Sequence, residues 1–201
     1  MRPIKSGSRK PQQGILLDVG CGGAKFGPLW TGIDKRAMDG VDVVHDLETF
    51  PWPIASESVQ TARVSHVLEH IKPWLTLSFL DELWRVMKIG GPVHIAAPYG
   101  VSSRFVQDPT HCNPINETTW MYFDPQPPGF LIPKDNLRQM NVLYSIYRPR
   151  PWRIARMYFD QVGDIEVLLE KREDEGWSFA STAARLPAPL RSRRSTGIRK
   201  R

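Results

Sequence analysis

Short apolar runs alternate with polar turns along this chain, and the runs end in a consistent way. Gly14-Ile-Leu-Leu-Asp18 is apolar up to an acid, as expected of a strand buried on both faces that carries its last residue to a crevice. Trp30-Thr-Gly-Ile-Asp34 also closes on an acid, residues 41–45 lead to Asp46, and Val59–Ser65 leads to His66. Ligands of an open α/β sheet bind beyond the carboxyl ends of its strands, so the pattern predicts one composite site. From Pro73 onward Leu75, Phe79, Leu80, Leu83, Trp84 and Met87 recur at helical spacing, with Gly90-Gly91 as the expected stop. Residues 93–97 read as a fifth strand. Residues 152–160 and 165–171, joined by a turn at Val162-Gly163-Asp164, read as an antiparallel hairpin. The rhythm is βαβ, a mostly parallel sheet covered by helices. Residues 99–133 break it with Pro, Asn and aromatics and one short helix near 117–123, and a long irregular stretch inside a domain is a mark of function.

Composition narrows the class. The 201 residues suffice for one domain, and 41% apolar with 24% charged residues is a globular balance. No apolar run approaches the roughly 18 residues of a membrane helix, and MRPIKSGSRKPQQG has no hydrophobic stretch for a signal peptide. A cytoplasmic protein without membrane contact is expected. Residues 1–13 and 173–201 are polar, aperiodic and basic, the composition of disorder, which leaves 14–172 as the domain. The net charge of +6 resides in those ends: residues 1–10 hold four basic groups and 185–201 hold seven, while the remaining chain has 16 basic against 21 acidic residues. Weak contact with a polyanion through the termini is one reading of this, a merely solvating role the other. Cys21 and Cys112, with no CxxC pair, form neither a thiolate metal site nor a disulfide framework, and no metal is expected.

In Asp18-Val-Gly20-Cys-Gly22-Gly23, the glycines after a buried strand let the backbone turn sharply and approach a ligand; a turn without a ligand is the alternative. A nicotinamide dinucleotide site would place a third glycine where Lys25 stands, opening a helix toward the pyrophosphate. Residues 23–33, with Gly27, Pro28 and Gly32 among them, are too few and too broken for that helix and a strand. A cofactor without pyrophosphate needs no helix dipole there, and S-adenosylmethionine is one. Its ribose hydroxyls need an acceptor, which Asp34 is placed to supply, with Asp46 near the adenine amino group.

The successive runs ILLDVGCGG, GIDKR, VHDLETFPWP, VSHVLEHI and LDELWRVMKIGG resemble the class I S-adenosylmethionine-dependent methyltransferases, in the branch whose first helix is reduced to a short loop. The likeness covers about residues 14–98, and the hairpin extends it to Lys171. It implies a Rossmann-like α/β fold: an open, mostly parallel seven-stranded sheet with an antiparallel final hairpin and helices on both faces. It also implies that Gly20, Cys21 and Gly22 face the methionine part and that Asp18 orients its amino group. Asp34 would hold the ribose, Asp46 and Leu47 would flank the adenine, and His66 would lie beside the cofactor.

Methyl transfer is an in-line displacement at an activated carbon, so alignment does much of the work and a base is needed only where the acceptor must lose a proton. Glu69-His70 is one candidate pair, with a structural role favoured. Asp108-Pro-Thr-His111-Cys-Asn113 is the other place, with His111 the candidate base and Asp108 beside it, against a local turn network as the alternative. Trp120, Tyr122, Phe123 and Phe130 read either as a lid over a planar substrate or as a satellite core. No NPPY-like or DPPY-like tetrapeptide follows the fourth strand, unlike the amino-group DNA methylases. The expected activity is transfer of a methyl group to an acceptor of unidentified class. The rivals are a catalytically inactive cofactor-binding or scaffold protein of the same fold, and a nucleic-acid-associated protein acting through its tails; no base-reading motif supports the last.

Overall fold

The computed structural model describes residues 14–128 and 149–174. The basic ends 1–13 and 175–201 and Phe130 lie outside these residues.

The apolar runs form a seven-stranded sheet from β1 (Ile15–Val19), β2 (Thr31–Asp34), β3 (Val43–Val44), β4 (Val59–Ser65), β5 (Pro92–Pro98), β6 (Trp152–Phe159) and β7 (Asp164–Lys171). Their order is β3-β2-β1-β4-β5-β7-β6. The first five are parallel, and β7 runs antiparallel to both β5 and β6. Leu17, Val19, Val64, Val93, Ile95 and Ala97 share one face of the sheet by register and are all fully buried. The hairpin turn is organised one step earlier than its glycine suggests. The Asp160 carboxylate accepts the N–H groups of Val162 (3.0 Å) and Asp164 (2.8 Å), so Asp164 already begins β7.

The fold expected from the sequence is the fold found, with few helices among the described residues. Pro73–Leu75 is a 3-10 turn that leads into α1 (Thr76–Val86); α2 (Ser103–Val106) and α3 (Glu117–Met121) are short. Another 3-10 turn spans Leu68–His70. The expected stop of α1 at Gly90-Gly91 is corrected: Met87 already leaves the helix, with ψ 144°, bridges to Val59 and is fully buried. Burial of that side chain against the sheet ends the helix before the glycines are reached. No helix of the described residues is long and apolar enough to cross a membrane. Trp120 and Phe123 are buried in the main core, with Tyr122 packed against it, so these aromatics are core and not a lid.

Residues 20–30, 35–42 and 45–58 form turns and bends without a helix, so side chains must take up backbone groups that a helix would satisfy internally. Glu82 of α1 does so for the last of these crossovers. Its carboxylate accepts the Trp52 N–H (2.6 Å) and pairs with Arg85 (2.6 and 2.8 Å). Arg85 in turn donates to the carbonyls of Trp52 and Ile54 and to Ser56 Oγ. Trp52 meets Phe79 edge-to-face at 5.3 Å. Burial pushes the Glu82 carboxyl up, but Arg85 and the Trp52 N–H outweigh it and the net shift is downward. A carboxyl lowered in the fold contributes stability that is present above its unfolded value, about 4.3, and is lost as pH falls through the folded value. Glu82→Gln is expected to cost about 1.5–3 kcal/mol at pH 7, the scale of hydrogen bonds to a charged group. In urea melts the gap between the two proteins should narrow below about pH 4.3; a gap constant with pH would show that the ionised pair contributes nothing.

Candidate functional site

The glycine loop begins where β1 ends. Gly20 has φ +68° and donates its N–H to the Ile33 carbonyl at 2.8 Å. A Cβ at Gly20 would lie 2.3 Å from Val67 Cγ2, so both the left-handed backbone and the close approach to the strand β4 crossover exclude a side chain. Gly22, at φ +55°, donates its N–H to Asp34 Oδ2 at 3.0 Å. Asp34 Oδ1 accepts the Arg36 N–H at 3.0 Å and faces Arg36 Nε at 3.4 Å. Burial raises the Asp34 carboxyl, yet the N–H groups of Arg36 and Gly22 and the Arg36 guanidinium prevail, and the group lies below its ordinary value. Asp34 is therefore an ionised acceptor at the tip of β2.

A cavity of about 400 Å³ opens beyond these strand ends. Of the residues singled out in the sequence, Gly20, Asp34, Asp46, Leu47 and His66 line it. Asp18, Cys21 and Gly22 do not; they shape the loop from behind. Asp18 Oδ2 accepts the Phe26 N–H at 2.8 Å while Oδ1 faces Arg63 at 3.4 Å. The Cys21 thiol is buried, and that burial, with Asp18 and Asp34 nearby, pushes its pKa up, which makes it unreactive. Lys35, Arg36 and Glu48 also line the cavity. Sequence reasoning passed over them although each immediately follows a singled-out strand-end segment. Glu48 is held by Lys72, whose main-chain N–H it accepts at 2.8 Å and whose ammonium it pairs with.

The other wall joins both places where catalytic chemistry was sought. The Glu69 carbonyl accepts the N–H groups of Cys112 (2.9 Å) and Asn113 (3.1 Å). The buried Asn113 amide donates to the Leu68 carbonyl and to Thr76 Oγ1 at 3.0 and 2.9 Å. Loop 108–113 is thereby docked on the turn Leu68–His70, and His70 and Thr110 line the cavity together with Val67 and Ile71. Thr110 Oγ1 donates to Asp108 Oδ1 at 2.7 Å and lies 3.2 Å from His70 Nδ1. His111 and Asp108 stand behind this pair and do not line the cavity. The His111 ring is 4.8 Å from that of His70, and its Nδ1 is 2.9 Å from the Phe105 carbonyl. His66 departs from ordinary strand geometry at φ +55° and projects between Glu69 Oε1 and Asp164 Oδ2, both 3.4 Å away. The Glu69 carboxylate raises the His66 pKa, with Asp164 adding to it and burial and Arg104 opposing.

No family model and no curated protein matches the chain. Solved structures do. A SAM-dependent methyltransferase from Archaeoglobus fulgidus superposes with a TM-score of 0.51 and 16% identity, over 80% of this chain and 87% of that one. A SAM-dependent methyltransferase from Methanosarcina mazei gives 0.50 and 13%, over 81% and 94%. At these identities the likeness is one of fold.

The Gly20 geometry sets up a controlled comparison. Gly90 is also left-handed, at φ +71°, but a Cβ there meets nothing within 4 Å. Gly90→Ala is expected to cost only the backbone part, about 1–2 kcal/mol. Gly20→Ala should cost clearly more in the same denaturant melts, because Val67 must also move; equal costs would mean that the Val67 contact relaxes freely.

Proposed function

We propose, from a fold shared with the class I S-adenosylmethionine-dependent methyltransferases, that this chain binds S-adenosylmethionine beyond the ends of β1 to β4 and transfers its methyl group to an acceptor. One observation carries the reading: an ionised Asp34 carboxylate on the cavity wall at the tip of β2, reached by a crossover with no helix to face a pyrophosphate. The residues present fit the group. The cavity is within the size range of small-ligand sites, and Leu47, Val67 and Ile71 give it an apolar stretch between acids at strand tips.

Asp34 Oδ2 uses one lone pair on the Gly22 N–H and keeps another for a ribose hydroxyl, while Oδ1 is taken up by the Arg36 N–H and Nε. Asp46 and Leu47 flank the adenine, and Gly20 gives its bare backbone to the methionine part. Asp18, Cys21 and Gly22 serve the site through the shape of the loop. The bound cofactor supplies a methyl group already activated on a sulfonium. The chain's own task is then alignment and exclusion of water. His66, His70 and Thr110 form the acceptor side, while His111 and Asp108 hold His70 and Thr110 in place from behind.

Calorimetric titration of the purified protein with S-adenosylhomocysteine, with NAD as a parallel ligand, tests the cofactor. Saturable binding of the first alone is expected. Binding of NAD in its place, or of neither, overturns the reading. Asp34→Ala should weaken binding by about 1.5–3 kcal/mol, roughly 10- to 150-fold, the range for hydrogen bonds to a charged acceptor. Unchanged affinity would remove Asp34 from the cofactor site.

A further inference from the structure

Glu69 has a fully buried side chain, and among the described residues neither of its oxygens has a hydrogen-bond partner. The nearest charged approach is that of His66 Nδ1, 3.4 Å from Oε1. A carboxylate in that position is costly unless it is paired or bound to a metal. Two imidazoles converge on it: Glu69, His70 and His111 each bring a ligand atom within 4.8 Å of the others.

The hydrogen bonds around both rings fix their tautomers in the same sense. Asp108 accepts the Thr110 hydroxyl, so the Thr110 oxygen is left to accept from His70 Nδ1. His111 Nδ1 faces a carbonyl, that of Phe105, and must donate to it. With Nδ1 as the donor of each ring, Nε2 is the nitrogen left to bind an ion; that of His111 lies 3.7 Å from Asp108 Oδ2. An imidazole whose outer N–H is held by a carbonyl or by a carboxylate-linked group is the usual state of a metal-ligating histidine.

We propose that Glu69, His70 and His111 form a site for a divalent first-row transition-metal ion of the zinc type on the wall of the cavity. Two nitrogens and one carboxylate suit a borderline ion of this kind better than magnesium or calcium, which take oxygen donors. Donors within 4.8 Å of one another share a point at most about 2.8 Å from each, so closing to bond lengths of about 2.0–2.2 Å needs movements under about 1 Å. Three protein donors leave a coordination position open, and His70 is the ligand that lines the cavity, so an oxygen donor of a bound molecule or a water completes the set there. The sequence gives no such signal, because the ligands stand 41 residues apart without the usual spacing of a histidine or cysteine pair. The inference goes beyond the methyl-transfer reading and does not rest on it.

The test uses the full chain, freed of metal with a chelator, and cobalt(II) as a spectroscopic substitute for zinc. One equivalent of cobalt(II) should bind with visible ligand-field absorption and be displaced by zinc(II), and zinc(II) should raise the melting temperature. His70→Ala alters an exposed residue, so the fold is retained, as circular dichroism would verify. It and Glu69→Gln should each weaken cobalt(II) by more than about tenfold, since even outer-shell changes cost that much. Cys112→Ser should leave the spectrum unchanged, because the thiol is not a ligand. Absence of stoichiometric binding to the parent protein overturns the proposal. So does cobalt(II) affinity that survives both His70→Ala and Glu69→Gln, or a spectrum lost with Cys112.

Discussion

The carboxylate of Asp34 is the contact on which the site depends. The crossover from β1 to β2 is only residues 20–30 and has no helix, so its backbone donors must be satisfied from outside. Asp34 takes the Gly22 and Arg36 N–H groups, Asp18 takes that of Phe26, and Asp42 takes that of Gly32 together with the Lys25 ammonium. Acids at strand ends thus do for this loop what a helix does for itself. Lys25 and the Gly32 N–H hold the Asp42 carboxyl below its ordinary value, so this brace, like that of Asp34, stays ionised in neutral solution. One set of charges folds the loop and lends the cavity its acceptor.

At the opposite end of the strands a basic group takes the corresponding part. The Lys171 side chain is fully buried, donates to the Met87 carbonyl at 2.8 Å, faces Glu57 at 3.2 Å and lies 3.9 Å from the centre of the Trp84 ring. It ties the end of β7 to the end of α1, where the helix gives way to the bridge with Val59. An ammonium taken from water this completely is retained only because carbonyl, carboxylate and ring surround it.

Much of this was legible in the sequence because it is written in local pattern. Short runs rich in apolar residues marked every strand, with bounds shifted by a residue or two, and the short spacing from Gly23 to Asp34 marked the missing first helix. What could not be read was set by contacts distant in the chain. Gly90-Gly91 looked like the stop of α1 because nothing local says that Met87 is drawn to Val59. Glu69-His70 and the loop 108–113 read as separate places, since their junction is made by main-chain bonds onto the Glu69 carbonyl, and main-chain groups carry no residue signature. The same blindness put His111 forward and left His70 in a structural role, whereas it is His70 that reaches the cavity and His111 that stands behind it.

The docking of loop 108–113 also settles how the cavity breathes. Lifting that loop would break two main-chain bonds to Glu69 and strand the buried Asn113 amide, a group whose loss of partners is expensive. The opposite rim carries the Lys72–Glu48 pair at the surface, a contact of a kind that water replaces at little cost. The charged rim is therefore the side of the cavity that costs least to open, while the histidine wall is the side held in place.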